Sequence, residues 1–174
     1  MPTNLWNLSH PTPKARTLVF LLRHVNYVPQ ILLGRKKVRF GAGKFGGIGG
    51  KIDPGETILQ AAVRELYEES NVHLPPQNLT HMAHLDFKFP YRPAWSQTAY
   101  VFIAHQWEGS PQESEEIEPH WLPYSQIPYE NMWADAAVWL PYLLKEEQIT
   151  AEFTYGRDNE SLIDHTVTRA ENND

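Results

Sequence analysis

A chain of 174 residues, 41% hydrophobic and 21% charged, is long enough to bury one full core and too apolar to stay unfolded. The absence of cysteine excludes disulfides, thiolate catalysis and cysteine-based zinc sites. A formal net charge of −6 argues against a nucleic-acid polymer as partner, and no apolar run approaches the length of a membrane span.

Residues 1–16 are polar and proline-bearing, with Trp6 the only large anchor and no compact apolar stretch of the signal-peptide kind. They read as a loosely held arm, ahead of a single domain over 17–169 and a tail at 170–174. A cytoplasmic monomer is expected. Thr17–Arg23 is a continuous apolar run of strand length, and Pro29–Leu33 is a second short one. Residues 39–50 hold six of the ten glycines, and a helix is predicted over 57–70. Its apolar stripe is Leu59, Ala62 and Leu66, its start is marked by Thr57, and Asn71 is a left-handed stop. Leu85, Phe87 and Phe89 alternate with Asp86 and Lys88 as in a half-buried strand, and Thr98–Trp107 reads as a central one. A short strand surrounds Trp121. A second helix is predicted over Asn131–Glu147, kinked or broken at Pro141, and a hairpin of 153–155 with 162–167 closes the chain. Strands interleaved with two long helices predict a mixed sheet with a helix on each face, an α/β/α sandwich.

Two phosphate-binding signatures fail on inspection. Gly41 to Gly46 satisfies G-x-G-x-x-G, but eight loop-like residues and a Pro54-Gly55 turn separate it from the helix that the motif must open. Gly50-Lys51 is followed by Ile52 rather than Ser or Thr, and Phe45 stands where the first glycine of a P-loop belongs. The eight histidines show no metal spacing; His81 and His84, on a strand, would point to opposite faces. Arg35, Lys36, Lys37, Arg39 and Lys44 crowd one short stretch, which fits a solvated loop or a phosphate-facing surface equally.

Glu65, Glu68 and Glu69 fall at i, i+3 and i+4, so one helical patch carries three carboxylates. They sit near the helix C-terminus, where the dipole disfavours anions, and they repel one another. Such a patch calls for a cation. A bare E-x-x-E-E is ordinarily a solvated helix face, but here it ends a longer pattern. Gly50 is followed after five residues by Glu56, then after seven by Arg64-Glu65-Leu66-x-Glu68-Glu69-x-x-Val72. Oxygen donors without histidine or cysteine suit Mg²⁺, or Mn²⁺, rather than zinc.

That 23-residue pattern resembles the Nudix box, with Asn71 where the family has glycine. From about Thr17 to Val167 the chain is similar to the MutT-homologue, oxidised purine nucleoside triphosphatase branch of Nudix hydrolases. The resemblance is carried by residues 32–45, 49–57, 114–122, 127–141 and 161–167. It implies the Nudix α/β fold and Mg²⁺-dependent cleavage of a nucleoside triphosphate to monophosphate and pyrophosphate, with a small nucleotide as the only partner. Glu65 and Glu69 would be metal ligands, Glu68 a third ligand or a group just behind them, and the backbone of Gly49 or Gly50 a further donor. Arg64 would orient the carboxylates, with Glu56 reaching the cluster through Arg64 or through water. The general base is left between Glu68 and Glu116. Trp133 and Asp135 match positions that stack on and hydrogen-bond the purine, and Thr17, Lys36, Phe40 and Phe87 match pocket or substrate-proximal positions. Two departures fall in the base site: Gly46 replaces an asparagine donor, and Ala136 replaces the second of two aspartates. The alternatives are cleavage of another diphosphate-linked compound, or a sensor that binds nucleotide without turnover.

Overall fold

Nearly every element follows from apolar periodicity, and the computed structural model, which describes residues 14–171, shows how they assemble. The order is β1 (Ala15–Val25), β2 (Val28–Lys36), β3 (Phe45–Gly46), α1 (Ile58–Ser70), β4 (Thr80–Lys88), β5 (Gln97–Ala104), β6 (Ile117–Pro123), α2 (Ala136–Leu144), β7 (Ile149–Tyr155) and β8 (Leu162–Arg169). The strands form one mixed sheet in the order β3-β2-β1-β5-β4-β7-β8, with β6 on the other side of β2. Ala15 and Arg16, expected in the arm, are the first residues of this sheet. Residues 1–13 of the arm, Trp6 among them, and residues 172–174 of the tail lie outside the described residues.

β1 is the hinge of the architecture. Its inner half, Ala15–Leu21, runs parallel to β5, while its outer end, Leu22–Val25, pairs antiparallel with β2. Between β1 and β2 the sheet therefore splits, and the glycine loop fills the split. Val19 bridges Ile48, Arg16 bridges Lys51, and the Thr17 amide donates to the Gly50 carbonyl over 2.9 Å. Side chains alternate across the sheet. Val19, Leu21, Tyr100 and Phe102 pack against Ile58, Ala62 and Leu66 of α1. Phe20, Leu22, Leu85 and Phe153 pack on the opposite face against Trp139, Leu140 and Leu143 of α2. One helix covers each face, as the sequence predicts.

α1 is specified at both ends. The Gln60 amide donates to Thr57 Oγ1 (3.1 Å) and the Thr57 amide to Gln60 Oε1 (2.9 Å), a reciprocal capping box. Asn71 stops the helix in the left-handed region at φ 61°, its amide bonded to the Tyr67 carbonyl. Leu59, predicted in the buried stripe, is only half-buried; Ile58 and Ala61 are the buried neighbours.

Two expectations need correction. The second helix does not run over Asn131–Glu147. A 3₁₀ turn ends at Asn131, Met132 is extended (φ −118°, ψ 167°), and α2 begins only at Ala136. Pro141 sits inside α2 without ending it. The C-terminal limit is set by Glu146, whose φ of 56° reverses the chain toward β7. His81 and His84 also do not point apart. A bulge between His81 and Ala83 shifts the register by one residue, so His81 faces Phe102 and Tyr100 while His84 packs on Tyr100 too.

Candidate functional site

The split in the sheet is where the site forms. Gly49 and Gly50 pass so close to their neighbours that a side chain is excluded: a Cβ on Gly49 would lie 1.8 Å from the Thr17 carbonyl oxygen, and one on Gly50 2.5 Å from the Glu65 carboxyl carbon. The loop backbone is thus pressed against the carboxylate face of α1.

Arg64 organises that face. Its Nε and Nη2 donate to both oxygens of Glu56 (2.7 and 2.9 Å), and its Nη1 donates to Glu65 (2.8 Å) and Glu68 (3.1 Å). Nη2 also donates to the Lys51 carbonyl, tying helix to loop. The hydrogen bond from Arg64 holds the Glu56 carboxyl below its ordinary range, and Glu56 in return raises Arg64. Glu65 is pushed up by burial in spite of Arg64. Part of the cation demanded by the acidic patch is therefore supplied by the chain itself.

Glu69 is the exception. It is 8% exposed, Arg64 does not reach it, and its Oε2 is buried without a hydrogen-bond partner. Burial, then the charges of Glu65 and Glu116, push its carboxyl up to about 8. Glu116, on the loop before β6, is also paired with Arg39 at 3.3 Å. As they stand, no three His, Asp or Glu side chains among the described residues converge into a metal-binding group. The donors nevertheless suit a hard divalent cation: an orphaned buried carboxylate oxygen, two further carboxylates beside it, and a side-chain-free loop backbone facing them. Glu65, Glu68, Glu69 and the Gly49–Gly50 backbone are the groups able to hold one.

Glu69 also lines a cavity of about 140 Å³ that opens on the α2 face of the sheet. Phe40, Phe45, Phe87, Phe89 and Trp133 form aromatic walls, and Lys36, Gly46, Asp135 and Arg16 contribute the polar and open positions. An apolar void of about this size accepts one aromatic ring. Trp133 stacks on Phe40 with centroids 5.1 Å apart, and the Lys44 ammonium lies 4.9 Å from the Trp133 ring. Asp135 is fixed from two sides: Trp139 Nε1 donates to Oδ2 over 2.7 Å and the Tyr155 hydroxyl donates to Oδ1. Burial pushes the Asp135 carboxyl up, while the bonds from Tyr155 and Trp139 oppose the shift. Burial pushes Tyr155 up as well, with the charge of Asp135 adding to it.

Of the residues singled out in the sequence, Lys36, Phe40, Gly46, Gly49, Glu69, Phe87, Trp133 and Asp135 share this cavity. Arg64, Glu65, Glu68, Gly50 and Glu116 gather beside Glu69. Thr17 is not brought in. Its side chain lies on the α1 face of β1, fully buried, with an unbonded hydroxyl. Sequence reasoning missed Arg16, Gln97, Trp139 and Tyr155. Trp139 is one turn beyond Asp135, and Arg16 is in period-two step with Leu18 and Phe20, so both carried a signal. Tyr155 arrives from β7 and had none.

A helix-covered mixed sheet, with a glycine loop feeding an acidic helix at a split, defines an α/β protein of the Nudix class. The NUDIX domain model matches residues 13–143. An oxidized purine nucleoside triphosphate hydrolase from Mus musculus is 36% identical over 157 residues, covering 90% of this chain and 95% of its own length. Its counterpart from Danio rerio is 36% identical over 160 residues, with 92% and 97% covered. The crystal structure of a MutT protein from Bacillus halodurans superposes with a TM-score of 0.74 at 22% identity, over 88% of this chain and 96% of that one. The chain belongs to the NUDIX domain family.

Proposed function

We propose that this protein hydrolyses purine nucleoside triphosphates carrying oxidised bases, giving the monophosphate and pyrophosphate with Mg²⁺ as cofactor, and so clears such nucleotides from the precursor pool. One observation carries the reading: Glu69 lines the same cavity as Trp133 and Asp135, so a base held in the aromatic slot has its phosphates beside the carboxylates. The names of the mouse and zebrafish relatives point the same way.

In this mechanism Phe40, Phe87 and Trp133 hold the purine, and Asp135, locked by Trp139 and Tyr155, hydrogen-bonds its edge. Lys36 faces the phosphates. Burial, then repulsion from Arg16, lowers its ammonium, a position that an anion relieves. Glu65, Glu68 and Glu69 with the Gly49 or Gly50 carbonyl would hold Mg²⁺, which when bound activates the attacking water and neutralises polyphosphate charge. Arg64, braced by Glu56, keeps Glu65 and Glu68 in place. The proton from water goes to Glu68 or Glu116, both of which keep solvent contact. Which oxidised base is preferred turns on Gly46 and Ala136, where polar partners of the branch are missing.

A substrate panel tests the reading. Oxidised and unmodified purine triphosphates, a nucleotide sugar and a diphosphoinositol are incubated with Mg²⁺, and the consumption of each substrate and the phosphorylated products are followed by anion-exchange chromatography. Cleavage of the oxidised purine triphosphates is expected; cleavage confined to the other diphosphates overturns it. Glu69→Gln separates an enzyme from a sensor. Loss of a charge-stabilising ligand costs several kcal/mol, so kcat should fall about a thousandfold. Cation-free nucleotide binding should survive. A variant that keeps most of its turnover removes Glu69 from the ligand set.

A further inference from the structure

The cavity that holds the base has a neighbour. A wider cleft of about 830 Å³ lies between the start of β1, the loop 51–57 and the segment 94–97. Arg16, Phe40 and Gln97 are common walls of the two. The cleft's charged groups are unevenly matched. Both of its acids are taken: Glu56 by the two-pronged contact from Arg64, Asp53 by Arg64 Nη2 at 3.5 Å. Its three cations, Lys14, Arg16 and Lys51, have no carboxylate partner among the described residues; the Lys14 ammonium reaches only the Ala94 carbonyl, at 3.4 Å.

Arg16 stands at the passage between the cavities, and its position is costly. It projects from the face of β1 that sends Leu18 and Phe20 into the base cavity. Its Nε is buried with no hydrogen-bond partner, and Glu65 and Glu69 attract its charge without pairing with it. A buried guanidinium donor left unsatisfied destabilises the fold, a cost that an occupant completing it removes. A guanidinium fork matches the oxygens of a phosphate group. The passage from the aromatic slot past Glu69 is also where the phosphate nearest the nucleoside must lie.

We propose that Arg16 is a substrate-binding residue that grips the phosphate attached to the nucleoside, and that the polyphosphate chain runs past it into the cleft bounded by Lys14 and Lys51. The assignment rests on the reading of the chain as a nucleoside triphosphate hydrolase. It adds the path of the phosphates and the residue that sets their register.

The test compares full-length wild type with Arg16→Met and Arg16→Lys. Affinities for 8-oxo-deoxyguanosine, its 5′-monophosphate and its 5′-triphosphate are measured without divalent cation by quenching of tryptophan fluorescence. Turnover of the triphosphate with Mg²⁺ and Tm are recorded alongside. Wild type should gain affinity from nucleoside to monophosphate. Arg16→Met should lose about 10- to 100-fold of that gain, the range of a hydrogen bond to a charged group, with nucleoside affinity unchanged. Arg16→Lys should recover part of it, since a point charge replaces the fork. Tm of Arg16→Met should stay level or rise, because a desolvated, unsatisfied cation has been removed. Equal affinity gains in wild type and Arg16→Met overturn the proposal, as does no gain in wild type. A fall in Tm with all three ligands weakened alike makes Arg16 a structural residue and also overturns it. The functional reading is judged separately, by whether wild type cleaves the triphosphate at all.

Discussion

At the scale of single residues, two positions show how burial and empty space become measurable. Gly46 leaves room in the wall of the aromatic cavity. No heavy atom lies within 4 Å of the Cβ that it lacks, and its φ is not in the left-handed region. Gly46→Asn should therefore fold with unchanged stability while adding an amide to the aromatic cavity. One hydrogen bond contributes about 0.5–1.5 kcal/mol, so the kcat/KM ratio between oxidised and unmodified purine triphosphates should move about 2- to 10-fold. An unmoved ratio would place Gly46 outside base recognition. His81 shows the opposite condition, a polar ring in a full core. Burial holds its imidazole down at about 4; the Ala83 carbonyl, 2.9 Å from Nε2, opposes the shift and His84 adds to it. Below pH 6.5 the unfolded chain takes up a proton that the folded one refuses, so stability falls as pH drops from about 6.5 toward 4. Between pH 7 and pH 5 this amounts to about 2 kcal/mol. Glu69, pushed up to about 8, works the other way over this range, so wild type is read against His81→Phe: urea unfolding at both pH values should show wild type losing about 2 kcal/mol relative to the variant. Equal losses would mean that His81 is protonated in the folded protein.

At the scale of elements, the sequence was most legible where local chemistry and tertiary need agree. α1 carries its own start in Thr57 and Gln60, its own stop in Asn71, and a stripe that points at the sheet. Nothing distant had to be known. The same holds for the strands, whose apolar runs fix their existence if not their ends. α2 was overextended for a physical reason. Met132 and Ala134 favour a helix and nothing in 131–135 forbids one, but Met132 and Trp133 are drawn out of helical geometry to fill the core and the cavity wall. Tertiary packing overrides propensity there. The His81 bulge was equally invisible, since one extra residue in a strand leaves no mark on the alternation of its neighbours. Within the site, the acidic cluster was readable because α1 brings it together by itself. The Asp135–Tyr155 contact and the Arg16 passage were not, because each joins segments that only the folded sheet makes adjacent.

At the scale of the molecule, the sheet divides two tasks and its split reconnects them. The aromatic cavity lies on the α2 face, the carboxylates belong to α1 on the other, and the glycine loop between β1 and β2 is the one place where Glu69 reaches through. The arrangement concentrates negative charge: Glu65, Glu68, Glu69 and Glu116 share two arginines, Arg64 and Arg39. A divalent cation bound there by the folded chain alone must stabilise it by mass action, about 2.7 kcal/mol at a hundredfold excess over Kd. For a domain of this size that is a rise in Tm of about 5–10 °C. Thermal unfolding of the full chain with millimolar Mg²⁺ should show the rise, and EDTA should reverse it. In Glu69→Gln two effects separate. The Mg²⁺-dependent shift should shrink, because a ligand is gone. The cation-free Tm should equal or exceed that of wild type, because a buried carboxyl pushed up to about 8 has given way to a neutral amide. A wild-type Tm indifferent to Mg²⁺ would leave the cluster to the chain's own cations, Arg64, Arg39, Lys36 and Arg16, and the divalent cation would then have to arrive with the nucleotide.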